Sequence, residues 1–166
     1  MKSLETNRLT LRQFRESDLD EYAAICADLQ VMRFLGGKPY TRAETWRHMA
    51  TMLGHWQLRG YGMWAVEEKS SGLLVGRIGF NHYEGWPGFE LAWTLGRPHW
   101  GRGYATEGAR AALDYAFATL EQPHVISLIH PDNTASIRVA ERLGEQLEGR
   151  TELFGTEVFV YGVHRS

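Results

Sequence analysis

The segment that most constrains the fold is 89–108 (FELAWTLGRPHWGRGYATEG), where a β-type run meets a helical pattern through a glycine-rich turn. Residues 89–95 predict a strand, and apolar residues recur with helical spacing after Gly103. Gly101 and Gly103 allow the backbone to turn tightly or to approach a ligand closely. A strand, a tight turn and a helix in this order indicate an α/β fold, in which the first N–H groups of the helix can bind an anion.

The glycine spacing alone leaves two interpretations of this turn open. An ordinary strand–helix turn needs the glycines for geometry only. A pyrophosphate-like anion fits the positive charge that Arg97 and Arg102 bring to the turn. Two better-known motifs are incomplete, because a dinucleotide fingerprint needs glycine where Thr106 stands and a P-loop needs Lys-Ser/Thr after its last glycine.

The rest of the chain alternates between strand and helix patterns in the order β-α-α-β-β-β-α-β-α-β-β. Ser17 is the predicted N-cap of the first helix, Thr41 and Glu44 have capping-box spacing at the start of the second, and Gly144 is a predicted C-cap. A mixed α/β sheet with helices on its faces buries these elements. The apolar face predicted for the second helix consists of Trp46, Met49, Leu53 and Trp56. The predicted strands are 8–14, 63–68, 73–83, 89–95, 124–130, 146–152 and 157–163.

Length and composition exclude several classes of protein. The 166 residues predict one domain over 1–166, and the formal net charge of −2 gives no electrostatic basis for binding nucleic acid. One cysteine, Cys26, excludes an intramolecular disulfide and a multi-cysteine zinc site. His48 and His55 lie too far apart along a helix to share an ion, so the seven histidines predict no metal site. Without a signal peptide or an apolar run of about 20 residues, we expect a cytoplasmic protein that does not associate with membranes.

Three segments in the right order resemble the Gcn5-related N-acetyltransferase (GNAT) family. WGRGYATEG (100–108) is similar to the family's acyl-CoA pyrophosphate loop, in the form of the RimJ/RimL-like ribosomal-protein-alanine acetyltransferase branch. TNRLTLRQF (6–14) resembles the opening strand, and residues 133–137 with 142–144 resemble a later motif. The resemblance implies a single N-acetyltransferase domain with a mixed, mostly antiparallel central sheet of about seven strands flanked by about four helices.

The resemblance also implies a reaction, the transfer of an acetyl group from acetyl-CoA to a primary amine by direct attack in a ternary complex. The implied acceptor is a peptide or protein N-terminus. A small-molecule amine (an antibiotic, an amino acid or a polyamine) is the second hypothesis, and a non-catalytic acyl-CoA-binding module is the third. The protein is expected to be a monomer or a homodimer. The residues assigned to acetyl-CoA are Ala92, Trp93, Thr94, Trp100, Gly101, Arg102, Gly103, Tyr104, Ala105, Thr106 and Asn133. For Asn133 a plain helix N-cap is the alternative interpretation.

Two residues are candidates for the proton transfers of this reaction. Glu90 shares a strand face with Ala92 and Thr94 beside the implied thioester, which makes it the candidate general base; a solvent-facing or salt-bridged glutamate is the alternative. Many relatives carry a tyrosine where this chain has Ala140, so Ser136 is the candidate hydroxyl donor to the leaving thiolate; a water molecule in that role, with Ser136 as a helix-surface serine, is the alternative.

The acceptor pocket is the least defined part of the implied site. Asp28 and Glu84 are isolated acids in this region, and the loop near Phe154 is expected to contribute to it. Glu145 stands where the family frequently has phenylalanine, which predicts a more exposed start to the following strand. The candidate acceptor residues are Phe34, Tyr40, Tyr83 and Trp86.

Overall fold

The computed structural model describes residues 2–166, which form one eight-stranded sheet with five α-helices on its faces. The strands are β1 (Leu4–Glu5), β2 (Leu9–Arg12), β3 (Met63–Glu68), β4 (Leu74–Asn81), β5 (Glu90–Leu95), β6 (His124–Ile129), β7 (Gln146–Leu153) and β8 (Thr156–His164). The helices are α1 (Leu19–Ala27), α2 (Leu29–Met32), α3 (Arg42–Arg59), α4 (Tyr104–Ala118) and α5 (Thr134–Leu143). The strand order is β1-β2-β3-β4-β5-β6-β8-β7, and only the β5–β6 pair is parallel.

The predicted mixed, mostly antiparallel α/β sheet is confirmed. Within residues 2–166 the sheet gains one strand over the expected seven, the two-residue β1, and the helices gain the one-turn α2. Both elements are too short to show a hydrophobic period, which is why the sequence pattern did not predict them.

The helices bury the two faces of the sheet in separate apolar clusters. One cluster joins α1 and α3 to the sheet and includes Phe14, Tyr22, Cys26, Met49, Met52, Met63 and Ala65. The opposite cluster contains the apolar side of α4 and includes Leu9, Leu11, Trp64, Ile78, Phe80, Leu91, Ala109, Ala112 and Leu113. Side chains alternate along a strand, so each central strand contributes to both clusters.

β5 and β6 are paired only at their beginnings. Glu90 and Ile126 are their one register pair within residues 2–166, and the Ile126 amide donates to the Phe89 carbonyl (2.9 Å). The Ser127 hydroxyl donates to the Leu91 carbonyl (2.8 Å). Phe89 and Leu91 therefore direct their backbone groups toward β6, and by alternation Trp93 does the same at a point where β6 no longer pairs with it.

α3 begins as predicted but buries a different face. The Thr41 hydroxyl accepts from the Glu44 amide (3.2 Å), and the Glu44 carboxylate accepts from the Thr41 amide (2.7 Å), which confirms the capping box. Trp46 and Leu53 are 48% and 36% exposed, so the predicted face is wrong at these two positions. Neither this 18-residue helix nor any other helix of residues 2–166 has the length and apolarity to cross a bilayer. The residues that α3 buries are Thr45, Met49, Met52, His55 and Trp56.

The prediction of Ser17 as an N-cap is also wrong. A 3₁₀ turn over Glu16–Asp18 precedes α1, and the Asp18 carboxylate accepts from the Arg15 amide (2.7 Å). The same carboxylate receives two hydrogen bonds from the Arg12 guanidinium (2.8 and 2.9 Å). This bidentate ion pair fixes the position of Asp18 at the start of α1. Asp18, and not the neighbouring Ser17, is therefore the N-cap residue of α1.

Candidate active site

A cleft of about 520 Å³ opens where β5 and β6 diverge. Its walls are the end of β5, the glycine-rich loop, the first turns of α5 and a segment that includes Phe34. Ser136 also lines the cleft, whereas Ala92, Arg102 and Glu90 do not. The residues assigned to acetyl-CoA that line the cleft are Trp93, Thr94, Trp100, Gly101, Gly103, Tyr104, Ala105, Thr106 and Asn133.

The two loop glycines adopt a conformation that other residues rarely reach. Gly101 has φ 74° and Gly103 has φ 79°, both in the left-handed region. A Cβ on Gly101 would meet no atom within 4 Å, so conformation rather than space requires glycine there. Gly103 is the N-cap of α4 and offers no side chain to the first turn, so N–H groups of α4 remain free at the cleft wall.

Ion pairs outside the cleft hold the loop in place. Arg102 pairs with Glu68 (Nη1–Oε1 3.3 Å), which turns its charge away from the cleft. Arg97 pairs with Asp28 (Nε–Oδ2 2.9 Å), and Asp28 also caps α2, so this acid is not a free acceptor-binding carboxylate. The Trp100 indole donates to the carbonyl of the last β5 residue (2.8 Å).

The start of α4 is tied to the beginning of β2 by Glu107, a residue to which the sequence analysis gave no role. Its carboxylate accepts from the Arg8 amide (2.9 Å), from Arg8 Nε (2.7 Å) and from the Thr6 hydroxyl (2.6 Å). Arg8 also donates to the Arg102 carbonyl (2.9 Å). Glu107 lies in the first turn of α4, where a negative charge is also favourable to the helix dipole.

A hydrogen bond across the cleft joins the two walls formed by β5 and α5. The Asn133 side chain accepts from the Ser136 amide (3.2 Å), so it caps α5 as the alternative interpretation predicted. The Trp93 indole donates to the Ser136 hydroxyl oxygen (3.2 Å). Because that oxygen is the acceptor, the hydroxyl proton of Ser136 remains available to a group in the cleft. Ala140 is fully buried against Ile129 and offers no such proton.

Glu90 is neither solvent-facing nor salt-bridged. Its side chain is buried, and one carboxylate oxygen accepts from Asn81 Nδ2 and from the Trp86 indole, both at 2.9 Å. Burial raises the pKa of Glu90, although these two donors and the charge of Arg77 act in the opposite direction. A carboxylate with a raised pKa is better matched to accepting a proton near neutral pH.

The candidate acceptor residues do not all line the cleft. Tyr83 and Trp86 form an edge-to-face pair (centroids 5.1 Å apart) beside Glu90, and Trp86 contacts the exposed Phe154 of the β7–β8 turn (5.9 Å). Phe34 lies in the cleft, whereas Tyr40 packs against His48. Glu84 is fully exposed and faces Arg59 (3.6 Å), so it lies outside the group around Glu90.

Comparisons with known proteins agree with this geometry. The sequence profile of the acetyltransferase (GNAT) domain matches residues 8–146. The chain belongs to the GNAT family. It is 32% identical over 151 residues to the uncharacterized N-acetyltransferase p20 of Bacillus licheniformis, a match that covers 90% of this chain and 85% of that protein.

Solved GNAT structures have the same fold. An acetyltransferase from Agrobacterium tumefaciens is 35% identical with a TM-score of 0.89, and the match covers 99% of this chain and 95% of that one. RimL, a ribosomal L7/L12 alpha-N-protein acetyltransferase solved with coenzyme A, is 20% identical with a TM-score of 0.82 over 98% of each chain, a likeness in fold. The protein is therefore an acetyl-CoA-dependent N-acetyltransferase.

The cleft fits the acetyl donor of a GNAT enzyme. The uncapped N–H groups at the start of α4 suit a pyrophosphate, because the positive end of the helix dipole lies there. The unpaired backbone of Trp93 suits the amide groups of a pantetheine arm. Ala92 faces the opposite apolar cluster and Arg102 is held by Glu68, so the structure does not bring these two side chains to the cleft.

Arg77 is a charged residue near Glu90 that the sequence analysis missed. It lies on β4 opposite Thr94, on the sheet face that also carries Glu90, and its charge acts on Glu90, Tyr22 and Tyr83. The side chain is half-buried, and no carboxylate of residues 2–166 lies within ion-pair distance of it. An arginine in an apolar strand gives no sequence signal for which face it occupies, because that depends on the register.

The predicted exposed start of β7 is confirmed, because Gln146, Leu147 and Glu148 are exposed, but Glu145, the residue directly before the strand, is buried. Glu145 is 3% exposed, and its carboxyl lies 3.0 Å from the Ser127 hydroxyl. Burial raises the pKa of Glu145 to about 8, and the charges of Glu148 and Glu90 add to this effect. The carboxyl is therefore protonated at neutral pH, and the Ser127 hydroxyl beside it is also within hydrogen-bond distance of the Leu91 carbonyl (2.8 Å).

Proposed function

We propose that this GNAT enzyme acetylates the N-terminal amine of a peptide or protein, as the RimJ/RimL-like branch does. The chain supplies one domain over 1–166 for this reaction, with the acetyl donor in the cleft and the acceptor on the sheet face of Glu90. Direct attack in a ternary complex agrees with this arrangement, because β5 borders both places.

Glu90 is the proposed general base, acting through a water molecule. An amine attacks only when it is neutral, so its proton must leave before or during attack. Burial and two N–H donors hold the carboxylate in one orientation, and its raised pKa favours taking a proton near neutral pH. On the other side of β5, the Ser136 hydroxyl is oriented by Trp93 and is the proposed proton donor to the leaving thiolate.

Arg77 is the feature that favours a peptide N-terminus over a polyamine as the acceptor. A polyamine carries several ammonium groups, and the half-buried guanidinium beside Glu90 repels them. A peptide N-terminus carries one ammonium group, which Glu90 can accommodate. The isolated acids that a polycation would need are elsewhere, since Asp28 pairs with Arg97 and Glu84 is fully exposed.

The rim of the acceptor side favours a peptide over a free amino acid. Phe154, 88% exposed, lies at the tip of the β7–β8 turn against Trp86. Exposed aromatic side chains next to a site offer apolar contact to the residues that follow a peptide N-terminus. A free amino acid has no following residues to make this contact.

The test is a panel of amines in which free CoA released from acetyl-CoA is measured. The panel contains a short peptide, the same peptide with a blocked N-terminus, a free amino acid and spermidine. We expect kcat/KM for the free peptide to exceed that for spermidine by about tenfold or more. Arg77→Gln should raise kcat/KM for spermidine relative to that for the peptide. Spermidine as the best acceptor would refute the role of Arg77. Binding of acetyl-CoA without turnover of any amine would instead indicate a binding module.

A further inference from the structure

Three metal-ligating side chains meet at the end of the sheet, away from the cleft. His124 Nε2 lies 3.0 and 2.9 Å from the two carboxylate oxygens of Glu148, and His164 Nε2 lies 3.8 Å from the nearer oxygen. One ligating atom from each residue lies within 4.8 Å of the other two. We call these three residues the His-Glu-His cluster. The sequence analysis did not predict that His124 and His164 meet.

The sheet register builds the cluster from three adjacent strands. His124 of β6 and His164 of β8 are direct register partners, and their rings stack with centroids 4.2 Å apart. Glu148 lies at an irregularity in β7, between Leu147 and Gly149, where the pairing with β8 shifts. A bulge of this kind changes the direction in which a side chain points.

Gly162 of β8 provides the space for the Glu148 carboxylate. A Cβ at position 162 would overlap all three atoms of that carboxylate group. The φ of Gly162 is not in the left-handed region, so backbone conformation does not require glycine there. Glycine in a strand interior weakens the strand, and close approach of another group is a recognised reason for its presence.

An ion pair explains only part of this arrangement. Hydrogen bonds explain why His124 and Glu148 lie together. The 3.8 Å between His164 Nε2 and the Glu148 carboxylate is too long for a hydrogen bond, so the position of His164 is not explained in this way. A metal ion would use all three groups. Four-coordinate zinc with ligands at about 2.0–2.1 Å separates its ligand atoms by roughly 3.3 Å, a value that lies between the 3.0 Å from His124 Nε2 to Glu148 Oε1 and the 3.8 Å from His164 Nε2 to the same oxygen.

We propose that the His-Glu-His cluster binds a divalent transition-metal ion, with Zn²⁺ as the reference ion. Two imidazoles and one carboxylate are donors that Zn²⁺ prefers, whereas Ca²⁺ and Mg²⁺ prefer oxygen ligands alone. Three protein ligands leave a fourth position to water, and the exposed side of His164 lets the ion enter. The bound ion connects β6, β7 and β8 at one end of the sheet.

The experiment measures Zn²⁺ binding to the full chain by calorimetry in a non-chelating buffer, with CoA absent. We expect one ion per chain, and we expect His124→Gln, His164→Gln and Glu148→Gln each to weaken binding by about tenfold or more. Glu152→Gln is the matched control, because Glu152 is an exposed β7 carboxylate without an ion pair. Zn²⁺ should also raise the melting temperature of the native chain and of this control.

Gly162→Ala provides a second test in which the three ligands remain. The added methyl displaces the Glu148 carboxylate, so the variant should bind Zn²⁺ about tenfold more weakly or worse while keeping its far-UV circular dichroism. Equal affinity in the native chain and in His164→Gln, an exposed substitution that leaves the fold intact, would overturn the proposal. Acetyl transfer is not part of this readout, so the outcome is independent of the proposed function.

Discussion

Replacing Glu145 with glutamine removes a buried carboxyl group that makes folding less favourable as the pH rises. The pKa of about 8 means that the folded state holds the proton up to about pH 8, whereas an unfolded glutamate releases it near its ordinary pKa of 4.5. The folded pKa is the higher one, so the free energy of unfolding falls with rising pH between these two values and is level above pH 8. At about 1.4 kcal/mol per pH unit, the loss is roughly 3 kcal/mol at pH 7 and roughly 5 kcal/mol at pH 9.

Urea unfolding at pH 5 and at pH 9 measures this effect. Glutamine keeps the shape of the side chain and can donate to Ser127, so Glu145→Gln should be within about 1 kcal/mol of the native chain at pH 5. At pH 9 the variant should be the more stable protein by several kcal/mol. Glu152→Gln, an exposed substitution on β7, should show no such pH dependence. A difference between Glu145→Gln and the native chain that is the same at both pH values would refute the reasoning.

Three further substitutions test the cleft and its chemistry. Gly103→Val forces a β-branched residue into φ 79°, so acetyl-CoA affinity measured by calorimetry should fall at least about tenfold, whereas Gly54→Ala, in open space on α3, should leave it unchanged. Glu90→Gln should lower kcat/KM by about 10² near neutral pH, with a smaller loss at high pH where the amine is already neutral; an equal loss at every pH would indicate that Glu90 binds the ammonium instead. Ser136→Ala should lower kcat about tenfold or more with little change in acetyl-CoA affinity, and the exposed Thr134→Ala is its control.

The structural features that could be predicted from the sequence are those formed by residues close together in the chain. The Thr41–Glu44 capping box, the Asn133 N-cap and the Gly144 C-cap are each made within one turn of helix. The glycine loop likewise joins a strand and a helix that are adjacent in the chain. Such features depend on spacing alone, which the sequence displays directly.

Features that depend on distant residues could not be predicted in this way. α3 buries His55 because its ring bonds to the Tyr61 carbonyl (2.7 Å) and accepts from the amide of His82, the residue after β4 (3.1 Å). A hydrophobic pattern counts such polar residues as exposed.

The same limit applies to charged residues whose roles come from strand register. Glu145 is buried because Ser127 of β6 lies beside it, and Arg77 reaches Glu90 through the pairing of β4 with β5. Pairing between strands is set by tertiary packing, and a shift of one residue in the β4–β5 register would move Arg77 to the other face of the sheet.

The divergence of β5 and β6 makes the sheet two halves joined by a short seam. β1–β5 form one half and β6, β8 and β7 form the other, and Glu90 with Ile126 is the register pair between them. A ligand that bonds to the Trp93 backbone and also contacts Asn133 touches both sides of this seam. The bound acetyl donor would then hold the two halves of the sheet together as well as react. Its binding should reduce the relative motion of the halves, and its release should restore that motion.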